Sequence, residues 1–443
     1  PPPHIHTPRP PTTTLSDDRR QRQMCIRDRG TLALTSMLLS IAIQWQIIVG
    51  LGPGAMTDAY FASQVVPTVL MVIIGSSVSH VLVPFVIEMT PGERQVNTWG
   101  MLLAFMAIFG SLSAVLFISA PAWVAVLFPG FSAELVELTI TLSRILSFVL
   151  LFGGMSAVLT AVHQAEHRFL LPEAWMLVST LIMLVGVTLG LATYGIILVA
   201  WLSLLRHATQ FLFLLGGIPR PALDGFRLSV LGELWQRARP LLLGSSIYKT
   251  GPIIDRNLAS MTPVGGITII AFAQQLYGIA LTLADKAFAT PFIAITSTLM
   301  KQGKHATIRR MYWRMWSWSL IVSLAIWVVI ILAGEWALEL FLGYGLVKTE
   351  DIATLSTVMA IMGGVLAGGA TGQLSAAGLY ACRKSADVAR IAVINFIIAT
   401  LIKVIGFLTL GLYGIVVGIV AYQVINAVVL HIKLDRTYRE EYA

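Results

Sequence analysis

Charge is scarce in this chain. Of its 443 residues only 12% are Asp, Glu, Lys or Arg, about half of what a soluble domain carries. That shortage excludes a soluble enzyme or nucleic-acid-binding domain, whose surface must be solvated. Cysteine is nearly absent as well: Cys25 lies in the first 29 residues and Cys382 in a basic stretch, so no disulfide framework is implied. Catalytic and metal-binding patterns are missing too, with no HExxH, no P-loop and no paired cysteines. The glycine run from Gly363 to Gly372 reads as close helix packing rather than a phosphate loop. The expectation is a protein that is not an enzyme and carries no cofactor, with dependence only on a membrane potential or a coupling cation.

What the chain has in abundance is apolar sequence, 56% of residues with a mean hydropathy of +0.80. Runs of about 20 apolar residues, each long enough to cross the hydrocarbon, recur along nearly its whole length. The expected fold is an all-α polytopic membrane protein of about twelve transmembrane helices in two six-helix lobes around a central cavity. The first lobe, 30–217, holds helices at about Gly30 to Gly50, Asp58 to Ile87, Trp99 to Ala120, Leu138 to Val162, Pro172 to Thr193 and Gly195 to Gly217. A polar amphipathic connector follows at 218–239. The second lobe, 240–433, holds helices at about Pro240 to Met261, Gly265 to Met300, Met311 to Ala333, Ile352 to Ala381, Val388 to Leu410 and Tyr413 to Ile432. Residues 434–443 form a short tail. Residues 1–29 have the composition of a disordered tail, and MCIRDR at Met24 to Arg29 resembles a translated sequencing adaptor, so they are set aside.

Basic residues fall on alternate loops. Arg94, Arg168, the groups Arg220 to Arg239, Lys301 to Arg314 and Arg383 to Arg390, and the C-terminal tail share one side, against Lys348 on the other. By the positive-inside rule both termini are cytoplasmic, in a bacterial inner membrane. A repeat supports the two lobes: GAMTDAYFASQ from Gly54 matches GGITIIAFAQQ from Gly265 in glycine, threonine, phenylalanine, alanine and glutamine at equal spacing. Six helices separate the copies. An even number makes the halves parallel repeats, a plan associated with a central site worked by rocking.

Ionisable groups inside a membrane cost about 2.5 to 3.5 kcal/mol each, so each is a functional candidate. Lys249, Arg256, Lys286 and Lys403 are candidates for a substrate cavity, with Gln64 and Gln275 as polar companions from the repeat. Asp58, Asp255, Asp285 and His80 are candidates for ion coupling or gating. Each has an ordinary alternative: Asp58 as a cap for its own helix, Asp255 and Arg256 as a structural pair, His80 as a packed polar residue. Arg144, Arg206 and His207 read as snorkelling to the interface.

The order and spacing of GPGAMTDAYF, VLVP, FPGFSAELVELTITLSRIL, HRFLLPEAW, IIDRNLAS and LFLGYG resemble the MurJ/MviN lipid-flippase family, part of a superfamily that includes multidrug and polysaccharide exporters. The resemblance implies a V-shaped exporter that binds a polyprenyl-linked saccharide, such as lipid II, and holds its pyrophosphate with cavity arginines. At the positions that align with those arginines this chain carries Met37, Ile43, Met71 or Val72, and Gln275, so the lysines and Arg256 are expected to substitute. Its partners would be membrane lipid and envelope-glycan assembly enzymes, with no nucleic acid. Two other readings stand beside it: a cation-coupled exporter of cationic amphiphiles with Asp58, Asp255 or Asp285 as coupling acid, and a non-transporting scaffold paralogue.

Overall fold

The computed structural model describes the backbone of residues 13–218 and 229–440, and side chains from residue 30 onward except at 76–80, 91, 240–241, 243–245, 294, 297 and 301. All regular structure among the described residues is helical. The helices are α1 (Thr13–Leu51), α2 (Ala55–Ile87), α3 (Pro91–Leu127), α4 (Ala133–Ala165), α5 (Leu170–Leu215), α6 (Ser229–Lys249), α7 (Gly251–Ala259), α8 (Gly266–Ala284), α9 (Thr290–Lys301), α10 (His305–Leu342), α11 (Thr349–Ala381), α12 (Ser385–Leu410) and α13 (Leu412–Glu440), with a π-helical turn at Asp285–Ala289 between α8 and α9.

Ten of these segments are long and apolar enough to cross a membrane. They resolve into twelve crossings once two features are taken into account. The helix α5 reverses direction at Gly195, where φ is 61° and ψ −150°, a conformation open to glycine at little cost. The pair α6 and α7 together forms one further crossing, broken at Thr250–Gly251–Pro252 and too polar to count by hydropathy.

Several boundaries differ from the sequence expectation for physical reasons. The first helix begins at Thr13, so the backbone of 13–29 is helical rather than a disordered tail, although its apolar span is Gly30–Leu51. Part of the expected connector, 219–228, lies outside the described residues, and 229–239 forms the first turns of α6. The long eighth helix is interrupted just ahead of Pro291 by the π turn. A proline inside a helix removes one hydrogen bond and crowds the carbonyl four residues back, and a widened turn accommodates both.

The two halves repeat in backbone detail. His167, between α4 and α5, and Arg383, between α11 and α12, have φ of 61° and 59°. Both sit in the same pattern of returning bonds: His167 N–H to Gln164 and Arg168 N–H to His163, Arg383 N–H to Tyr380 and Lys384 N–H to Leu379. At the same spacing further on, Gly195 and Gly411 turn each half's last helical hairpin with φ of 61° and 58°. Parallel repeats follow from these matched turns.

Packing separates the bundle into a sealed end and a split end. At the end remote from the chain termini one hydrophobic core crosses both lobes, joining Ile47, Phe61, Leu142 and Val187 to Ile270, Phe272, Leu342 and Val358. Nearer the termini the core divides. One cluster, including Leu82, Phe109, Leu159 and Phe211, is mostly first-lobe and takes in Leu234 from α6; another, including Phe292, Tyr312, Leu379 and Leu434, belongs to the second. Lobes joined at one end and holding separate cores at the other make a V.

Candidate functional site

The sealed end is closed by polar contacts as well as apolar ones, with the buried Asp58 carboxylate at their centre. The N-terminus of α2 is capped by Gly54, whose N–H donates to Thr57 Oγ1 at 2.9 Å, so Asp58 is not needed there. Its carboxylate instead caps the partner helix across the lobes. Gly265 N–H donates to Oδ2 at 2.6 Å, Thr268 N–H to Oδ1 at 2.8 Å and Thr268 Oγ1 to Oδ1 at 2.6 Å. The otherwise unpaired amides of the α8 N-terminus thereby receive a full negative charge. Thr57 and Thr268, equivalent positions of the sequence repeat, meet at 3.0 Å. Leu346 N–H to Val49 O at 2.9 Å, Trp45 Nε1 to Phe341 O at 2.6 Å and Asn257 Nδ2 to Leu127 O at 2.7 Å complete the seal.

Below it lie two polar pockets on either side of α8. The first, of about 320 Å³, is walled by α1, α2, α4 and the two halves of α5, with Gln275 entering from α8. Gln44, Tyr60, Gln64, Ser203, Arg206 and His207 supply its polar lining, and Pro67 opens α2 beside it. Ser203 organises the wall: its hydroxyl bonds Tyr60 Oη at 2.8 Å and its carbonyl meets His207 Nδ1 at 2.8 Å. Arg206 has no ion pair among the described residues, and its Nε is buried without a hydrogen-bond partner, as is Oε1 of Gln44. Among the described residues no carboxylate lines this pocket. A half-buried arginine that lines a cavity without a counterion among the described residues favours an anion, and its planar fork suits phosphate oxygens.

The second pocket, of about 250 Å³, lies within the second lobe. Here the charges are already matched. Lys403 Nζ on α12 meets Asp255 Oδ1 on α7 at 2.6 Å, with both side chains buried. Gln274 Nε2 donates to Asp255 Oδ2 at 2.8 Å, and Arg256 Nη1 donates to Gln274 Oε1 at 2.5 Å. The chain Lys403, Asp255, Gln274, Arg256 ties α12, α7 and α8 together. Gln274 and Gln275 are consecutive on α8, so a turn of about 100° per residue aims one into each pocket.

The expected site residues thus separate. Gln64 and Gln275 meet in the first pocket. Arg256, Asp255 and Lys403 meet in or beside the second, but Asp255 pairs with Lys403 from a distant helix rather than with its neighbour Arg256. Lys249 donates to Val72 O on α2 at 3.4 Å, bridging α6 to the first lobe. Lys286 is exposed on the π turn and makes no ion pair among the described residues. Asp285 accepts a bond from Thr290 Oγ1 at 3.3 Å across that turn. The side chain of His80 lies outside the described residues. Arg144 is exposed and stacks over Phe117 with 5.6 Å to the ring centroid, as snorkelling requires.

Arg206 and His207 overturn the same reading. They turn into the first pocket instead of toward the interface, because α5 presents Trp201, Leu205 and Leu212 outward and so directs the opposite face inward. The helical phase of these exposed apolar residues was visible in the sequence. It was the available signal that Arg206 faces protein.

Comparison with known proteins places this architecture. A curated relative from Thermotoga maritima, "Probable lipid II flippase MurJ", is 23% identical over 316 residues, 70% of this chain. The matched stretch spans 63% of that relative's length. Among solved structures, lipid II flippase MurJ in an inward closed conformation superimposes with a TM-score of 0.83 at 18% identity, over 92% of this chain and 87% of that one. An inward-facing multidrug resistance MATE family transporter superimposes with a TM-score of 0.78 at 15% identity, over 93% and 98% of the two chains. The family model for lipid II flippase MurJ matches residues 48–441, and the chain therefore belongs to the MurJ lipid II flippase family.

Proposed function

We propose that this protein is a flippase, not an enzyme, and that it carries a polyprenyl-linked saccharide precursor such as lipid II across the bacterial inner membrane by alternating access. Membership of the MurJ family over residues 48–441 carries the reading. The V of two lobes, sealed at one end and divided at the other, supplies a conformation from which cargo enters. Basic residues concentrate at the divided end, which also holds both termini, and the positive-inside rule puts that end in the cytoplasm. Envelope-glycan assembly enzymes would deliver the cargo there.

Arg206 is the residue proposed to hold the cargo's pyrophosphate, with Gln44, Gln64 and Gln275 as further donors. This replaces Lys249, Lys286 and Lys403 as first choices, since Lys403 is neutralised by Asp255. Membrane potential is a sufficient bias for the two conformations, because one charge moved across 100 mV supplies about 2.3 kcal/mol. The cation-antiporter reading loses Asp255 as a free coupling acid for the same reason that Lys403 is lost as a phosphate ligand.

Depleting the protein and weighing lipid-linked precursors in each leaflet tests the proposal. Accumulation of a polyprenyl-linked saccharide on the cytoplasmic leaflet, cleared by the native chain and not by Arg206→Gln, is the expected result. An unchanged precursor pool after depletion would sink it in favour of another cargo or a scaffold.

A further inference from the structure

A third cavity, outside both pockets, lies where α10 and α13 meet at the end of the bundle that holds the chain termini. It has a volume of about 620 Å³ and is lined by Arg309, Arg310 and Arg439, with Trp313 as an aromatic wall and His305 at the first turn of α10. Asp435 on α13 pairs with Arg309 at 3.2 Å and with Arg439 at 2.7 Å. One carboxylate therefore fixes two guanidinium groups from different helices. Arg310 makes no ion pair among the described residues, so the cluster keeps a surplus of positive charge.

The helix that carries this cluster continues as an apolar ridge. Positions 310, 321, 324, 328 and 332 fall within an arc of about 80° on a helix of 3.6 residues per turn. Ile321, Leu324, Val328 and Leu332 are 55%, 40%, 52% and 80% exposed among the described residues. A cationic pocket set about 16 Å along the axis from the first of these side chains has the polarity profile of an amphiphile lying against the protein. Tryptophan beside the arginines fits the headgroup level of a bilayer.

We propose that Arg309, Arg310 and Arg439 bind the phosphate of an anionic phospholipid whose acyl chain lies along Ile321, Leu324, Val328 and Leu332. This site is separate from the cargo pocket, which lies beyond α8, and does not depend on the transport reading. The continuity of charge and apolar face on one helix favours a lipid over a free phosphate ion, which would use the arginines alone.

Native mass spectrometry and melting temperature of the full-length protein in micelles test this, with phosphatidylglycerol, phosphatidylcholine or inorganic phosphate added. The native chain is expected to retain phosphatidylglycerol at least fivefold over phosphatidylcholine and to melt several degrees higher with it. Arg310→Gln, which breaks no ion pair, is expected to lose most of that preference while melting as the native chain does in phosphatidylcholine. Ile321→Asn with Val328→Asn is expected to weaken retention of the lipid too. Equal retention of phosphatidylglycerol by the native chain and Arg310→Gln overturns the site. Stabilisation by inorganic phosphate as large as that by the lipid overturns the lipid assignment, leaving a soluble phosphate as ligand.

Discussion

The two pockets beside α8 are built from similar residues and reach opposite electrostatic outcomes. In the second lobe a buried lysine finds a buried aspartate, and glutamine bonds extend the pair to Arg256. In the first lobe Arg206 finds no carboxylate among the described residues. A matched pair costs little further to keep and binds little, whereas an unmatched cation stays costly until an anion arrives. The difference supports the proposed division, in which the second pocket holds its lobe together and the first takes the cargo.

Breaking the matched pair is the harshest test of that division. Asp255→Asn strands Lys403 in an apolar site, and removing one partner of a buried pair costs about 3 to 5 kcal/mol. Replacing both, with Asp255→Leu and Lys403→Met, is expected to restore most of the lost stability, as read by thermal unfolding in detergent. A double variant no more stable than the single one would mean that the pocket uses the charges for something other than cohesion.

Arg206→Gln probes the other side. A hydrogen bond to a charged group contributes about 1.5 to 3 kcal/mol, so precursor clearance is expected to fall about 10- to 100-fold while the melting temperature holds or rises. A drop in stability with full transport would reverse the roles of the two pockets.

Asp58→Asn acts on the wall that both pockets share. Loss of the negative charge from the α8 N-terminus weakens the seal by about 1 to 2 kcal/mol. Cysteine-pair crosslinking across the sealed end is then expected to fall while the lobes stay folded. The smallest expected effect contrasts neighbours: Gln275→Leu should slow clearance a few-fold with stability unchanged. Gln274→Leu, which removes partners from Asp255 and Arg256, should cost about 1 to 3 kcal/mol of stability. Similar phenotypes for both would erase the distinction between the pockets.

Much of the fold is legible before folding because a bilayer leaves few options. Backbone groups in hydrocarbon must be satisfied within a helix, so apolar run length and loop charge delimit the crossings. The repeat between Gly54 and Gly265 already shows the two lobes, and its residues meet around the axis: Thr57 touches Thr268, and Gln64 and Gln275 line one pocket. Pro67 and Pro252 likewise mark helix positions that line the pockets. The site was less legible. Lys403 looks like a free cation in sequence, and Asp255 lies 148 positions away. Asp58 sits where an ordinary helix cap would sit and serves a different helix.

By itself the sequence determined what periodicity, hydropathy and charge bias can encode: an all-helical membrane protein of two parallel repeats with a polar interior. Each of these is a local property, or one counted along the chain. Only the tertiary structure decided which charges cancel, because Coulomb attraction falls with distance in space and not along the sequence. It gave Lys403 a partner, left Arg206 without one among the described residues and ran one hydrophobic core through both lobes at one end only, and the proposed function depends on those three placements.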